Sequence, residues 1–393
     1  MKRMTKFIYT VACIGIMSIP VIAQEEDQNI EEEQRVEKTF RVSSGGELEV
    51  SITSGSIKIM PGKSEQVQIT TDEMMPEEIR QLEIYQTGNN VTIKTNHHSS
   101  FNGDLTLQVA VPAEYNLDLR TMSGDIFVGD NLRGKLTAST SGGDIKVKDV
   151  NGEVKVSTSG GDIAVGNTDG DLDISTMGGD ISVGKVQGRA KLNTMGGNIL
   201  VSDIGKSLKA VTYGGDITMG NIGGDADAES FGGDIMVRNV SGQARISTKG
   251  GSLRCDGANG RIIANSAGGD IELKNITGSV DAQTNSGDIS IELFPSGKSE
   301  SRISTMMGDV NLYLPENAKA TVNAVIRIRG AWMDNDEHSI HSDFKSQSYG
   351  TDPDEKNIKG VYVLNGGGDK ISIKTINSDI YIKNMNKKPQ SEN

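Results

Sequence analysis

Aromatic residues and cysteines are scarce in this 393-residue sequence. Aromatic side chains make up only 4% of it, which excludes a large globular core and favours a narrow one built from Ile, Val, Leu, Ala and Thr. Only Cys255 lies outside the N-terminal segment described next, so an internal disulfide is excluded there. Acidic residues outnumber basic ones by 53 to 40, and the formal net charge of −13 argues against nucleic acid or anionic lipid as a partner.

Residues 1–23 have the pattern of a secretory signal peptide. Three basic residues within the first six positions precede an apolar run from Phe7 to Ile19, and a small-residue cleavage site ends at Ala23. Its removal takes away three positive charges and changes the net charge from −13 to −16. No second apolar run of membrane length follows. We therefore expect an exported protein in the periplasm, at the cell surface or outside the cell, with no transmembrane helix.

An eighteen-residue repeat occupies most of the chain. In each copy, apolar or Thr side chains are spaced by two, two, five and two residues, as in Val154, Val156, Thr158, Ile163 and Val165. Spacings of two are typical of β-strands, and the gap of five holds a Gly-Gly turn. A fixed period of this size predicts an all-β fold, a single-stranded parallel β-solenoid of ten coils. The coils begin at Leu117, Leu136, Val154, Leu172, Ala190, Leu208, Ala226, Ala244, Ile262 and Val280.

The remaining segments differ in composition from the regular coils. Residues 24–38 are rich in Glu and Gln with no hydrophobic period, which is typical of a flexible leader. The open ends of a solenoid expose strand edges, so we interpret the irregular strands on each side as caps that oppose end-to-end polymerisation. The predicted division is 1–23 signal peptide, 24–38 acidic flexible leader, 39–116 N-terminal strands and cap, 117–294 regular coils, 295–383 C-terminal coils and cap, and 384–393 polar tail.

The turn sequences resemble those of a known family. Val111-Pro112-Ala113-Glu114-Tyr115 leads into Ser123-Gly124-Asp125-Ile126, many Gly-Gly-Asp-Ile turns follow, and Gly366-Gly367-Gly368-Asp369 precedes the last copy. Over residues 40–383 the chain resembles the putative-adhesin beta-strand-repeat family of exported bacterial proteins. The resemblance implies a right-handed parallel β-solenoid and carries no catalytic residue. The period alone leaves the handedness open.

A column of aspartates follows the Gly-Gly pair and is the first candidate site. Carboxylates about 4.8 Å apart repel by roughly 0.9 kcal/mol per pair even in water, so something offsets the repulsion. One interpretation is that each aspartate caps backbone N–H groups of its turn. The other is bridging Ca²⁺, although the nine-residue GGxGxD calcium repeat is absent. The candidates are Asp144, Asp162, Asp180, Asp216, Asp234, Asp270 and Asp288, with Asp125 before them.

An apolar series at the position after the Thr column is the second candidate. It comprises Met177, Met195, Tyr213 and Phe231 in four consecutive coils, and Leu200 and Met236 take nominally outward positions nearby. If these side chains point outward, they form the kind of apolar patch that marks partner surfaces. The alternative is that the corner tucks them under a loop or under the insertion at residues 321–364.

A third candidate is the acidic loop Asp334-Asn335-Asp336-Glu337-His338, followed by His341 and Asp343. These residue types bind metals, but the spacing matches no recognised motif, so we interpret the segment as a solvated loop and expect no cofactor.

Catalysis is disfavoured by the regularity of the coils. Parallel β-helices include polysaccharide lyases and galacturonases, which wall a groove with long loops from several coils. The coils from Leu136 to Ile291 have no such insertions, and no histidine occurs between His98 and His338. We therefore expect a non-catalytic, monomeric adhesin or envelope scaffold that presents a lateral face to a surface protein, a glycan or the envelope. The alternatives are a carbohydrate-active β-helix enzyme and a self-assembling scaffold.

Overall fold

The computed structural model describes residues 33–95, 105–297, 299–329, 338–352 and 356–387. Within these ranges the protein is all-β, with 37 strands, one helix, α1 (Pro76–Ile79), and a 3-10 turn at Met385–Lys387. The predicted signal peptide, residues 24–32 of the leader, residues 334–337 of the acidic loop and residues 388–393 of the tail lie outside the described residues. No helix in the described ranges is long and apolar enough to cross a membrane.

The strands fall into an N-terminal, a regular and a C-terminal group. The N-terminal strands are β1 (Gln34–Arg41), β2 (Gly46–Ser54), β3 (Ser56–Gly62), β4 (Gln66–Met74), β5 (Leu82–Thr87), β6 (Asn90–Thr95), β7 (Thr106–Pro112), β8 (Tyr115–Ser123) and β9 (Ile126–Val128). The regular strands are β10 (Leu132–Arg133), β11 (Leu136–Ser139), β12 (Ile145–Val147), β13 (Val150–Asn151), β14 (Val154–Ser157), β15 (Ile163–Val165), β16 (Leu172–Ser175), β17 (Ile181–Val186), β18 (Ala190–Asn193), β19 (Ile199–Ile204), β20 (Leu208–Thr212), β21 (Ile217–Ile222), β22 (Ala226–Ser230), β23 (Ile235–Val240), β24 (Ala244–Ser247), β25 (Leu253–Cys255), β26 (Ile262–Asn265), β27 (Ile271–Ile276), β28 (Val280–Ser286) and β29 (Ile289–Leu293). The C-terminal strands are β30 (Glu300–Met307), β31 (Val310–Leu314), β32 (Ala320–Arg327), β33 (Ile340–Ser342), β34 (Ser348–Asp352), β35 (Asn357–Leu364), β36 (Asp369–Ile376) and β37 (Ile380–Asn384).

Successive repeats pair in parallel, and each repeat contributes one strand to each of two long sheets. β14 pairs with β16 so that Val154 lies opposite Leu172, and β15 pairs with β17 so that Ile163 lies opposite Ile181. The first step is nineteen residues, with Leu136 opposite Leu117. These registers are the ones that the spacing predicts. The sequence period therefore becomes the hydrogen-bonding period of the sheets.

The core consists of inward side chains stacked in columns of like residues. The column Ile145, Ile163, Ile181, Ile199, Ile217, Ile235, Leu253, Ile271 and Ile289 is at most 1% exposed throughout. A third line of buried side chains, among them Val150, Val186 and Ile222, closes the remaining corner of each repeat. One repeat thus buries five apolar side chains, Leu172, Ile174, Ile181, Val183 and Val186, which explains how a chain so poor in aromatics forms a core.

At both ends, the order of the repeats in space differs from their order along the chain. The strands β2 and β3 lie between β8 and β9 on one side and β6 and β7 on the other, all in parallel. At the other end, β36 lies between β30 and β32, and β37 lies between β31 and β33, again in parallel. Antiparallel strands then extend three of the four sheet ends. At the N-terminal end, β4 pairs with β7 and β1 pairs with β4 in one sheet, and β5 pairs with β6 in the other. At the C-terminal end, β35 pairs with β32 and β34 pairs with β35.

The structure differs from the predicted flexible leader over residues 34–38. These residues form the first part of β1, which pairs antiparallel with β4 from Gln34 opposite Met74 to Arg41 opposite Gln66. The N–H of Val36 also donates to the hydroxyl oxygen of Thr71 at 3.0 Å. Backbone pairing to a sheet edge needs no hydrophobic period, which is why the composition of this segment was misleading.

We expect Cys255 to be unreactive in the folded protein. Its side chain is fully buried in the sheet, and burial raises the pKa of the thiol to about 11, so almost no nucleophilic thiolate forms at pH 8. In the chain lacking residues 1–23, where it is the only cysteine, a thiol reagent at pH 8 should label it only after denaturation. Rapid labelling of the native chain would contradict this burial.

Candidate functional site

The Gly-Gly corner brings neighbouring repeats very close together at its second glycine. A Cβ built on Gly161 would lie 2.1 Å from the carbonyl oxygen of Gly143, whereas one on Gly160 would meet nothing nearer than 3.8 Å. Other repeats carry Ser123, Ser286 and Met307 at the first position, where a side chain is therefore tolerated. In the repeat of Gly160 and Gly161, the stacking therefore requires only the second glycine.

The aspartate column caps backbone N–H groups across the gap between repeats. The N–H of Asp162 donates to Oδ1 of Asp144 at 2.8 Å, and the N–H of Asp180 donates to Oδ1 of Asp162 at 2.8 Å. The same bond recurs up to Asp309, with Asn198 and Ser252 as acceptors where aspartate is absent. The predicted donor was the N–H of the same turn, but it lies in the next repeat. This bonding explains the column without a metal.

The Thr column is buried, and its hydroxyls bond the same corner. Thr158 Oγ1 donates to the carbonyl oxygen of Gly143 at 2.9 Å and accepts the N–H of Gly161 at 3.3 Å. Equivalent pairs are formed by Thr140, Thr176, Thr194, Thr212, Ser230, Thr248 and Ser266. In each corner, one Thr or Ser hydroxyl and one Asp, Asn or Ser side chain therefore form hydrogen bonds to the backbone. These bonds pair backbone N–H and C=O groups of the corner.

The side chains that follow the Thr column form an exposed line, which we call the apolar ladder: Met177, Met195, Tyr213 and Phe231. Met177, Met195 and Tyr213 are 53%, 56% and 54% exposed, and Phe231 is half-buried. Of the two alternatives left open by the sequence, outward orientation is the one observed, because no described residue covers the ladder. The insertion's strands β32 and β35 lie at the end of the sheets instead.

The two aromatic rings of the apolar ladder stack along the direction of the repeats. The ring centroids of Tyr213 and Phe231 are 4.6 Å apart and the planes differ by 5°. Lys249, one repeat further on, places Nζ 4.3 Å from the centroid of the Phe231 ring. Both faces of the Phe231 ring are therefore occupied, while the Tyr213 ring stacks on Phe231 through one face.

Leu200 and Met236 lie on the far side of the aspartate column from the apolar ladder. They occupy the same outward column of β19 and β23, with Thr218 between them, and are 53% and 48% exposed. On this side Leu200 lies beside Asn198 and Met236 lies beside Asp234.

Sequence reasoning missed a groove of about 590 Å³ on the outer face of the strands from β14 to β26. It lies between two columns that each carry charges of both signs, and it is lined by five acidic and five basic side chains. Pairs such as Arg189 with Asp171 at 2.7 Å and Lys209 with Asp227 at 3.8 Å join charges of neighbouring repeats. The available signal was the mixture of acidic and basic residues at eighteen-residue spacing. Because the charges balance, the groove offers a ligand little net field.

Two described residues of the third candidate, His338 and His341, lie beside Asp379, whereas Asp343 accepts the backbone N–H of Asn384 at 2.9 Å. His338 Nδ1 and His341 Nε2 lie 3.5 and 3.7 Å from the Asp379 carboxylate, and Tyr381 donates to it at 3.2 Å. Ser339 Oγ is 2.9 Å from His341 Nε2, the same nitrogen that faces the carboxylate, so the ring is not oriented through Nδ1 as a catalytic triad requires. No group of three or more His, Cys, Asp or Glu within the described ranges is placed to hold a metal ion.

A family model described as Toastrack DUF4097 matches residues 46–230 and 207–383. The chain belongs to the Toastrack DUF4097 family. This agrees with the resemblance of the turns to exported β-repeat proteins. A comparison with curated proteins finds no match.

Three solved structures are also similar to this Toastrack chain. A putative adhesin from Bacteroides fragilis is 17% identical over 58% of this chain and 96% of its own, with a TM-score of 0.31. A putative adhesin from Parabacteroides merdae is 11% identical over 71% of this chain and 96% of its own, with a TM-score of 0.27. A putative cell adhesion protein from Clostridium sporogenes is 8% identical over 89% of this chain and 100% of its own, with a TM-score of 0.17. At these scores none of them carries an argument about this chain's site.

The Gly-Gly corner gives a matched pair of substitutions. Gly161→Ala should lower the free energy of unfolding by about 1–3 kcal/mol, because its Cβ would press on the Gly143 backbone. Gly160→Ala should change it by less than about 0.5 kcal/mol, since that Cβ has room. Denaturant unfolding of both variants measures the difference. Equal losses of stability would contradict the close approach.

Proposed function

We propose that this chain is an exported, non-catalytic β-solenoid of the adhesin or envelope-scaffold type, which presents the apolar ladder to a partner. The exposure of the ladder carries the proposal. Met177, Met195 and Tyr213 occupy consecutive repeats, each is more than half exposed, and they continue into Phe231. Aligned exposed apolar side chains on a rigid sheet corner are typical of partner surfaces.

The two-sheet pairing supports a single right-handed solenoid. From β11 to β29, each strand of the two long sheets runs parallel to the strand eighteen residues later, and the chain reaches it by passing through the other sheet, as from β14 through β15 to β16. Connections between parallel neighbours in one sheet are right-handed in about 98% of cases. The handedness implied by the family resemblance is the same.

A non-catalytic role is supported by the chemistry of the repeats. The Thr hydroxyls that line the corner are buried and are bonded to backbone on both sides, so none is available as a nucleophile. The one described cysteine is also buried. Export rests on the signal-peptide pattern, and the mature charge of −16 disfavours close packing of copies and supports a monomer.

The partner surface can be tested with a photo-crosslinking amino acid in cells that make the protein. Placed at Met195 or Tyr213, it should give a discrete crosslinked product, because these side chains would lie against the partner. Placed at Met307, which is 65% exposed but outside the ladder, it should give none. Equal products at all three positions, or none at the ladder, would overturn the proposed surface.

A further inference from the structure

We infer that the apolar ladder, together with the aspartate column beside it, binds a cationic amphipathic peptide segment. This inference rests on the proposed function, because it takes the same face as the partner surface and names the chemistry of the partner. The ligand class is a segment with apolar side chains along one stripe and Lys or Arg beside that stripe.

The aspartate column supplies uncompensated negative charge next to the ladder. Asp162, Asp180, Asp216 and Asp234 are exposed, and each uses Oδ1 to accept a backbone N–H of the next repeat. None of the four forms an ion pair with Lys or Arg in the described part of the chain, although charges of neighbouring repeats pair elsewhere, as in Arg189 with Asp171. The second carboxylate oxygen of each therefore faces solvent as a charge that a cation of the partner can neutralise.

On the side of the apolar ladder away from the aspartate column, the exposed charges also favour a cationic partner. Glu229 is exposed in the adjoining outward column, where the other neighbours are Ser175, Asn193 and Val211. Lys249 is the one basic residue in line with the ladder, and it is engaged with the Phe231 ring. Electrostatic complementarity of this kind selects partners and speeds their encounter.

The stacking of the rings favours a peptide over a glycan. A sugar packs on the open face of an aromatic ring, but Phe231 has Tyr213 on one face and Lys249 on the other. What remains exposed is more than half of the Tyr213 side chain and of the two methionine side chains, Met177 and Met195. Methionines adapt to irregular apolar surfaces, and their sulfur contacts aromatic rings favourably, so the apolar ladder suits apolar side chains of a peptide.

The spacing of the ladder suits a short helix. Four rungs about 4.8 Å apart span roughly 14 Å, which is close to three helical turns of about 5.4 Å each. A helix with one apolar side chain per turn can therefore place them along the ladder, as in recognition of an amphipathic helix by a surface groove. Its flanking basic residues then lie beside the aspartates.

A second copy of the chain fits the same face less well. Antiparallel packing of two ladders about their midpoint would place Met177 against Phe231 and Met195 against Tyr213. It would also place Asp180 opposite Asp234, and both copies carry a strongly negative net charge. Like charges facing each other oppose this arrangement.

Fluorescence anisotropy of labelled model peptides with the purified chain tests the inference. The probe is a Leu/Lys peptide of roughly 14 residues with helical amphipathic spacing, about 21 Å long as a helix. It should bind, and binding should weaken with added salt. A scrambled peptide of the same composition and a Leu/Glu peptide with the same spacing should bind at least about tenfold more weakly.

Variants of the chain locate the binding. A variant that combines Met195→Ser, Tyr213→Ser and Phe231→Ser should bind the Leu/Lys peptide at least about tenfold more weakly, because the apolar contacts are lost. The affinity for the Leu/Lys peptide should fall by about three- to tenfold, and depend less on salt, in a variant that combines Asp162→Asn, Asp180→Asn, Asp216→Asn and Asp234→Asn. Asn198 already fills this column, so these variants keep the corner bond. The controls Met307→Ser and Asp227→Asn should leave binding within about twofold.

The inference is overturned if the unaltered chain binds no Leu/Lys peptide, if the scrambled peptide binds equally, or if the ladder variants match the controls. It is also overturned if light scattering shows a dimer that the apolar variant abolishes, because the ladder is then occupied by a second copy. Its failure is separable from that of the proposed function. Crosslinks at Met195 in cells together with no peptide binding would leave a partner surface of different chemistry.

Discussion

The structure depends on hydrogen bonds from side chains to the backbone of the neighbouring repeat at the Gly-Gly corner. A chain that turns sharply between two sheets leaves N–H and C=O groups outside the strand ladders, and unpaired buried groups of this kind are costly. Here one Thr or Ser hydroxyl and one Asp, Asn or Ser side chain supply the missing partners in each repeat. At about 0.5–1.5 kcal/mol net for each bond, the sum over successive corners is large compared with the stability of a domain.

This closure of the corner explains where function can reside. The inward columns are occupied by apolar packing, and the Thr and second Gly positions by the corner bonds. The side chain between them, at positions such as Met177 and Tyr213, has no structural task and points outward. Repeats carry Ser, Ala and Asn at this position as readily as Met or Phe. A continuous run of four apolar residues there is therefore not required by the fold.

The repeated part of the fold was predictable because its period is also its pairing register. Val154 opposite Leu172 follows from the spacing alone. The ends were less predictable, because β2 and β36 have the same internal spacing as any other repeat but pair out of chain order. Residues 34–38 were misassigned because an edge strand held by backbone bonds carries no apolar pattern.

Parts of the candidate site could be predicted and others could not. The residues of the apolar ladder were identified from their column, but whether they were exposed or covered depended on where strands such as β32 and β35 pack. The bond from the Asp180 N–H to Asp162 joins residues eighteen apart, so no local turn rule predicts its donor. The exposure of the ladder and the unpaired charge of the aspartates became visible only when the repeats were stacked.

Residue-resolved amide hydrogen exchange tests the corner bonding most directly. Asp144, Asp162 and Asp180 lie outside the strands, yet each N–H is bonded to the preceding aspartate, so all three should exchange slowly. In the variant Asp162→Ala, the Asp180 amide should lose protection while the Asp144 amide, which is bonded to Asp125, keeps it. Fast exchange of these amides in the unaltered protein, or an unchanged Asp180 amide in the variant, would contradict the account.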